Sequence, residues 1–202
     1  MRPAAILGLA LAGLLAPARI ARAEWQIKPF FGVTHGGGTT FVDYEHAAGH
    51  SNPAIGASGV WLGEVFGVEA DWGQAPGFFE RGGQQLVSNT SVSTVTGNIV
   101  VALPRRLAEY TLRPYFVGGA GAMFVHVDFP NGDPLIARSL QAMDLGGGVT
   151  GFLTSRIGLS WDVRYFRSID RTFESGLSLG SEQLSFWRAN MAVAIRLKGV
   201  QP

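Results

Sequence analysis

Three of the four histidines fall close together: His35, His46 and His50, beside Asp43 and Glu45. Imidazole and carboxylate together suit a transition metal such as zinc or nickel. No helical spacing aligns His46 with His50, however, and polar loops of this make-up are common without bound metal. The three histidines are therefore weak candidates, and no metal is expected. A second motif is Gly146-Gly147-Gly148-Val149-Thr150-Gly151, which matches G-x-G-x-x-G. Dinucleotide binding needs a strand before that motif and a helix after it. Here Phe152-Leu153 continue a strand pattern and a turn follows. Glycines that let neighbouring strands pack closely are the better account, also for Gly118, Gly119 and Gly121. No cofactor is expected.

The remaining chemistry lies in charges spaced at every second residue. Lys28, Glu69, Asp71, Arg113, Asp144, Asp162, Arg164, Arg188 and Arg196 all fall on one face of an alternating pattern. Four acids face five bases. In a narrow interior an unpaired charge is very costly, whereas a paired and hydrogen-bonded network is tolerable. The set is thus expected to form a structural network that plugs a lumen. The sharper reading is a polar conduit for ions or small solutes.

These residues sit on strands. In residues 157–166, Ile157, Leu159, Trp161, Val163 and Tyr165 alternate with Gly158, Ser160, Asp162, Arg164 and Phe166. Near the C-terminus, Ala189, Met191, Val193, Ile195 and Leu197 alternate with Arg188, Asn190, Ala192, Ala194 and Arg196. Phe66, Val68, Ala70 and Trp72 oppose Gly67, Glu69, Asp71 and Gly73, and a similar pattern begins at Val95. A period of two is that of a strand. Further strands are expected near residues 25–34, 53–62, 112–127 and 141–153, which makes eight. Short connections (residues 63–65, 104–110 and 154–155) alternate strictly with long ones (35–52, 74–90, 128–140 and 167–184). An up-and-down meander then carries every long connection at one end, and long loops in a compact domain usually have a function.

Composition supports this architecture. Of the 202 residues 47% are hydrophobic and only 15% charged, with 28 Gly and no Cys. Soluble domains average about 25% charged residues. The low charge argues against a disordered chain and against a polycationic nucleic-acid binder. Absence of Cys removes disulfides, Cys-ligated zinc, Fe–S clusters and thiol nucleophiles. Residues 1–23 read as a secretory signal peptide: Arg2, an apolar run over 4–16, and Ala21-Arg22-Ala23 before Glu24. Removing them takes Arg2, Arg19 and Arg22 from the 16 basic residues, so the net charge of +1 becomes mildly negative. Residues 24–202 form the expected barrel domain.

Periodicity alone does not say which face is wet. The apolar face carries Trp25, Trp61, Phe66, Trp72, Phe116, Phe124, Trp161, Tyr165 and Trp187, mostly towards strand ends, where interfacial aromatic girdles sit. Nine such rings would overfill an eight-stranded interior, which is just wide enough for side chains. An open sheet edge is not tolerated in lipid, so the last strand must pair with the first. The expected fold is an all-β, eight-stranded, antiparallel, up-and-down transmembrane β-barrel with its apolar face outward.

Certain segments carry a resemblance to a known family. They are residues 25–32 (Trp25 to Gly32), Gly67-Val68-Glu69-Ala70-Asp71-Trp72, residues 113–121 (Arg113 to Gly121), residues 145–151, and Trp161-Asp162-Val163-Arg164-Tyr165. In order and spacing the chain resembles the small eight-stranded outer-membrane barrels of Gram-negative bacteria, the OmpA/OmpX-type barrel domain. Two departures stand out. The chain ends Leu197-Lys198-Gly199-Val200-Gln201-Pro202 rather than in an aromatic residue, and no peptidoglycan-binding domain is expected after the last strand. The resemblance implies a cell outer-membrane location, with termini and short turns periplasmic and long loops outside. It implies contact with outer-membrane lipid and lipopolysaccharide, and with periplasmic chaperones and the barrel-assembly machinery during biogenesis. A monomer that binds no nucleic acid is expected.

Some barrels of this size are lipid A deacylases, which need a Ser nucleophile, a His base and an orienting acid. Ser168 has no His two residues before it, and His126, near Asp128, falls on a different strand. The chain is therefore expected to be non-enzymatic, with a structural or surface-interaction role. A narrow channel, and a soluble periplasmic barrel binding an apolar ligand, are the alternatives.

Overall fold

A computed structural model of the chain describes residues 23–39, 51–78, 89–107, 112–128, 136–169 and 184–197. Eight strands follow one another: β1 (Glu24–Thr39), β2 (Asn52–Leu62), β3 (Phe66–Pro76), β4 (Asn89–Ala102), β5 (Leu112–Asp128), β6 (Ile136–Phe152), β7 (Ile157–Ser168) and β8 (Leu184–Arg196). Each pairs antiparallel with the next, and β8 pairs back onto β1, closing the barrel. The signal-peptide reading covers residues 1–23, of which 1–22 lie outside the described residues, as do His46 and His50.

Alternation sets the two faces. In β3 the exposed residues are Phe66, Val68, Ala70, Trp72 and Pro76, while Gly67, Glu69, Asp71, Gly73 and Ala75 are buried. β7 and β8 follow the same rule, so the large exposed hydrophobics form an outward belt, from Trp25 and Ile27 on β1 to Val193 and Ile195 on β8. A one-residue slip would turn this whole belt inward, and the register excludes it: Trp25 stands opposite Trp61, and Phe66 opposite Val101.

Several strands outrun the alternating pattern at the long-loop end. β1 continues to Thr39 instead of ending near residue 34. β4 starts at Asn89, β6 at Ile136 and β8 at Leu184, each several residues before the alternation begins. The extra segments of β1 and β4 are rich in Gly, Ser, Thr and Asn, whereas that of β8, Leu184 to Trp187, places Leu184 and Phe186 inward. A ladder of backbone hydrogen bonds needs no hydrophobic face, so the strand goes on after the apolar alternation has faded. In β1 the extension includes an irregularity between His35 and Gly37, where Gly36 takes a φ of 56°. This left-handed conformation suits glycine. The short-turn end matches the pattern. Gly63–Val65 closes β2 to β3 with Gly63 N–H donating to the Phe66 carbonyl at 2.9 Å, and a 3₁₀ turn at Arg105–Leu107 lies between β4 and β5.

The G-x-G-x-x-G stretch lies wholly inside β6, with no helix after it. Its role is close approach. A Cβ on Gly146 would strike the Val163 carbonyl and the Arg164 backbone, whereas one on the outward Gly97 of β4 would meet nothing. Gly146→Val should therefore lower stability by about 1–3 kcal/mol. Gly97→Ala should change it by no more than about 0.5 kcal/mol. Urea titration of the folded band on unboiled gels measures both, and equal midpoints for the two variants would contradict this register.

Candidate functional site

Inward parity delivers polar side chains from every strand to the middle of the lumen. Arg164 on β7 is the hub and is 1% exposed. Its guanidinium binds the Glu69 carboxylate of β3 through both terminal nitrogens, while Nε donates to Asp162 Oδ1 at 3.1 Å. Asp71 and Asp144 stand 3.6 and 3.9 Å from the same guanidinium. Arg188 on β8 pairs with Asp71 at 2.7 Å and donates to Thr94 Oγ1 at 3.3 Å. Neutral groups fill gaps: Asn98 donates to Glu69, and Asn190 and the Tyr115 hydroxyl donate to Asp162. Lys28 donates to Thr150 Oγ1 at 3.0 Å and lies 4.7 Å from the Tyr115 ring centroid.

Seven of the nine charges named from sequence meet in this middle layer: Lys28, Glu69, Asp71, Asp144, Asp162, Arg164 and Arg188. The other two sit at the short-turn end. Arg113 donates to the carbonyls of Leu103 (2.9 Å), Gly63 (3.0 Å) and Glu64 (2.6 Å), tying the β2–β3 turn to the end of β4. Arg196 pairs with Glu24, donates to the Ser155 carbonyl at 3.0 Å and covers the Phe152 ring. Glu24 also pairs with Arg105 at 2.8 Å. Sequence reasoning missed both Glu24 and Arg105. Glu24 is the first residue of β1 and shares the inward parity of Lys28, which was the available signal. Arg105 lies in a turn, where no parity exists.

An apolar layer above the charges was also missed. Phe78, Met123, Val125, Phe166, Leu184 and Phe186 are buried in one cluster towards the long-loop end. Phe166 stacks on Phe186 at 5.2 Å and 15°, and Phe78 meets Phe186 edge-on at 5.2 Å. The Arg188 guanidinium lies 4.6 Å from the ring centroids of both Phe30 and Phe166, which seals the two layers together. Aromatic rings thus do enter the lumen. They fit because alanines at 54, 75 and 142 stand among them. Among the described residues the charge layer is closely packed, with Arg164, Arg188, Asp71 and Asp144 almost fully buried.

The nine aromatics assigned to a girdle all stand on the outward parity. Trp25, Trp61 and Phe66 lie at the short-turn end and Phe124, Tyr165 and Trp187 towards the other, with Tyr165 and Trp187 in contact at 5.0 Å. Trp72 lies well along β3, and Phe116 and Trp161 each stand four residues inside their strands. His35 is exposed on β1, and among the described residues no group of His, Asp or Glu could hold a metal ion. Ser168 faces inward and its hydroxyl accepts the Leu184 N–H at 3.0 Å, while His126 has the outward parity of β5, so the two are not brought together.

The closed eight-stranded antiparallel ring decides the comparison with known structures. Its fold is that of the small eight-stranded outer-membrane barrels. Neisserial surface protein A (NspA) matches with a TM-score of 0.61 over 86% of this chain and 97% of its own, at 9% identity. OprG of Pseudomonas aeruginosa matches at 0.58, over 88% and 97%, at 12% identity. Ail, the attachment invasion locus protein of Yersinia pestis, matches at 0.51, over 86% and 99%, at 15% identity. No family model and no curated protein sequence matches the chain. At such identities the likeness is one of fold.

Removing the hub should be severe. Arg164→Ala strips four carboxylates of their shared cation, and breaking a buried ion pair from one side costs about 3–5 kcal/mol. Arg164→Met combined with Glu69→Leu should recover part of that loss. Denaturant unfolding of the three proteins tests the order, and an unaffected Arg164→Ala would remove the hub from its central role.

Proposed function

We propose that this chain is a non-enzymatic outer-membrane protein: a blocked barrel that holds its long connections outside the cell for a structural or surface-interaction role. The observation that carries the reading is the inversion of ordinary burial. Arg164, Arg188 and four carboxylates are interior, while Phe66 (60% exposed), Ile99 (63%) and Phe116 (74%) stand on the outer wall. Large apolar patches on a protein surface mark contact with an apolar partner, and a belt that encircles a closed barrel fits a bilayer. Strands of 11–17 residues are long enough for a tilted span of about 9–11 residues. The fold shared with NspA, OprG and Ail supports the same location, with residues 1–23 as the export signal, the short turns in the periplasm, and the aromatics at both strand ends as interfacial anchors. Lipid and lipopolysaccharide are then its surroundings, with assembly factors met only in transit.

The plugged lumen argues against the channel reading. Purified protein in planar bilayers should show no unitary conductance across a range of voltages, and steady openings would favour the channel instead. Membrane fractionation with carbonate extraction tests location. The protein should stay with the outer membrane and migrate faster unboiled than boiled, whereas release into the soluble fraction would overturn the membrane reading. Protease treatment of whole cells should cut between β1 and β2, β3 and β4, β5 and β6, or β7 and β8, and nowhere else.

A further inference from the structure

At the short-turn end the lumen opens into a cavity of about 530 Å³, between the turns and the charge layer. Lys28 and Arg113 both line it, and they share an unusual property. Each is buried, at 4% and 8% exposure, and neither has a carboxylate within 4 Å among the described residues, Glu69 and Asp162 acting on Lys28 from farther away. Lys28 is held by one hydroxyl and one ring face. Arg113 is held by three backbone carbonyls, and its Nη1 has no partner. The two acids of this cavity are already committed: Glu24 is shared between Arg105 and Arg196, and Glu69 is taken by both terminal nitrogens of Arg164. An ammonium has three donors and Lys28 gives one to Thr150, while Arg113 Nη1 is a buried donor without an acceptor, so among the described residues the cavity holds cationic donors that are not fully engaged. One stretch of its wall is apolar, built from Val60, Leu62, Val100 and Ala102 on β2 and β4.

We propose that this cavity binds a small amphipathic anion, a carboxylate with a short apolar body. The carboxylate accepts from Lys28 Nζ and draws on the field of Arg113. The chain of carbons lies along the Val60–Ala102 wall. The volume falls within the roughly 300–1,000 Å³ of small-ligand pockets. The site opens at the short-turn end and stands on the lumen alone, independent of what the long connections contact at the opposite end.

Hexanoate is a suitable probe because it is soluble and has both features. The barrel, folded in detergent micelles with labelled Val and Leu methyl groups, is titrated by NMR with hexanoate, hexanol and inorganic phosphate. Hexanoate should shift the inward methyls of Val60, Leu62 and Val100 saturably, leave those of the outward Val68 and Val101 unmoved, and bind about tenfold more tightly than hexanol. Lys28→Gln should weaken hexanoate by about tenfold and leave hexanol unchanged. Four results would overturn the proposal: no shift of the inward methyls, shifts of outward methyls only (partition into the micelle), equal affinity for hexanol, or phosphate binding as tightly as hexanoate. The wild-type titrations decide the matter even if Lys28→Gln does not fold, and Arg113→Gln at the cavity wall provides a second variant, expected to weaken hexanoate less than Lys28→Gln.

Discussion

The pairing of β8 with β1 is the constraint on which the rest depends. A meander of eight strands has two raw edges, each a row of unpaired N–H and C=O groups. In hydrocarbon every such group costs several kcal/mol, so the chain can face lipid only when the edges meet. They do so from Gln26 opposite Arg196 to Thr39 opposite Leu184. Once the ring is closed, period-two alternation leaves each strand one side for the lumen and one for the surroundings. Everything placed inside must then fit a cylinder whose radius is set by eight strands.

That confinement shapes the interior chemistry. Four carboxylates in so narrow a space repel one another unless cations are shared among them. A single guanidinium within reach of Glu69, Asp71, Asp144 and Asp162 is an economical arrangement, because its five donors fan out in one plane. Glycine supplies the room. A Cβ on Gly73 would collide with the Arg188 guanidinium, so the smallest residue stands where the largest side chains must lie. Arg188 then faces Phe30 and Phe166, and the polar layer passes into the aromatic one through that guanidinium.

The strands and their faces were legible because apolar alternation sustained over ten residues matches the period of a strand and not that of a helix. Glu69-Ala70-Asp71-Trp72 and Trp161-Asp162-Val163-Arg164-Tyr165 declare both faces at once. The strand extensions were not legible: the segment His35 to Thr39 has no apolar face to report, and only the ladder with β8 reveals it. Parity also says which face a charge takes but not its height along the barrel, so Arg113 and Arg196 could not be separated from the central network. Partnering was hidden for the same reason. That Lys28 and Arg113 have no carboxylate within 4 Å among the described residues depends on which neighbours Arg164, Arg105 and Arg196 have already engaged, a property of the assembled lumen.

The unequal strands give the rim a slope. β5 and β6 run 17 residues each, whereas β2 and β3 run 11. At about 3.4 Å per residue and a tilt of about 40°, the difference raises one side of the wall on the order of 15 Å above the other. The barrel is therefore shaped like a spout. Among the described residues that β5–β6 lip is one continuous ladder, paired from Leu112 opposite Gly151 to Val127 opposite Ile136.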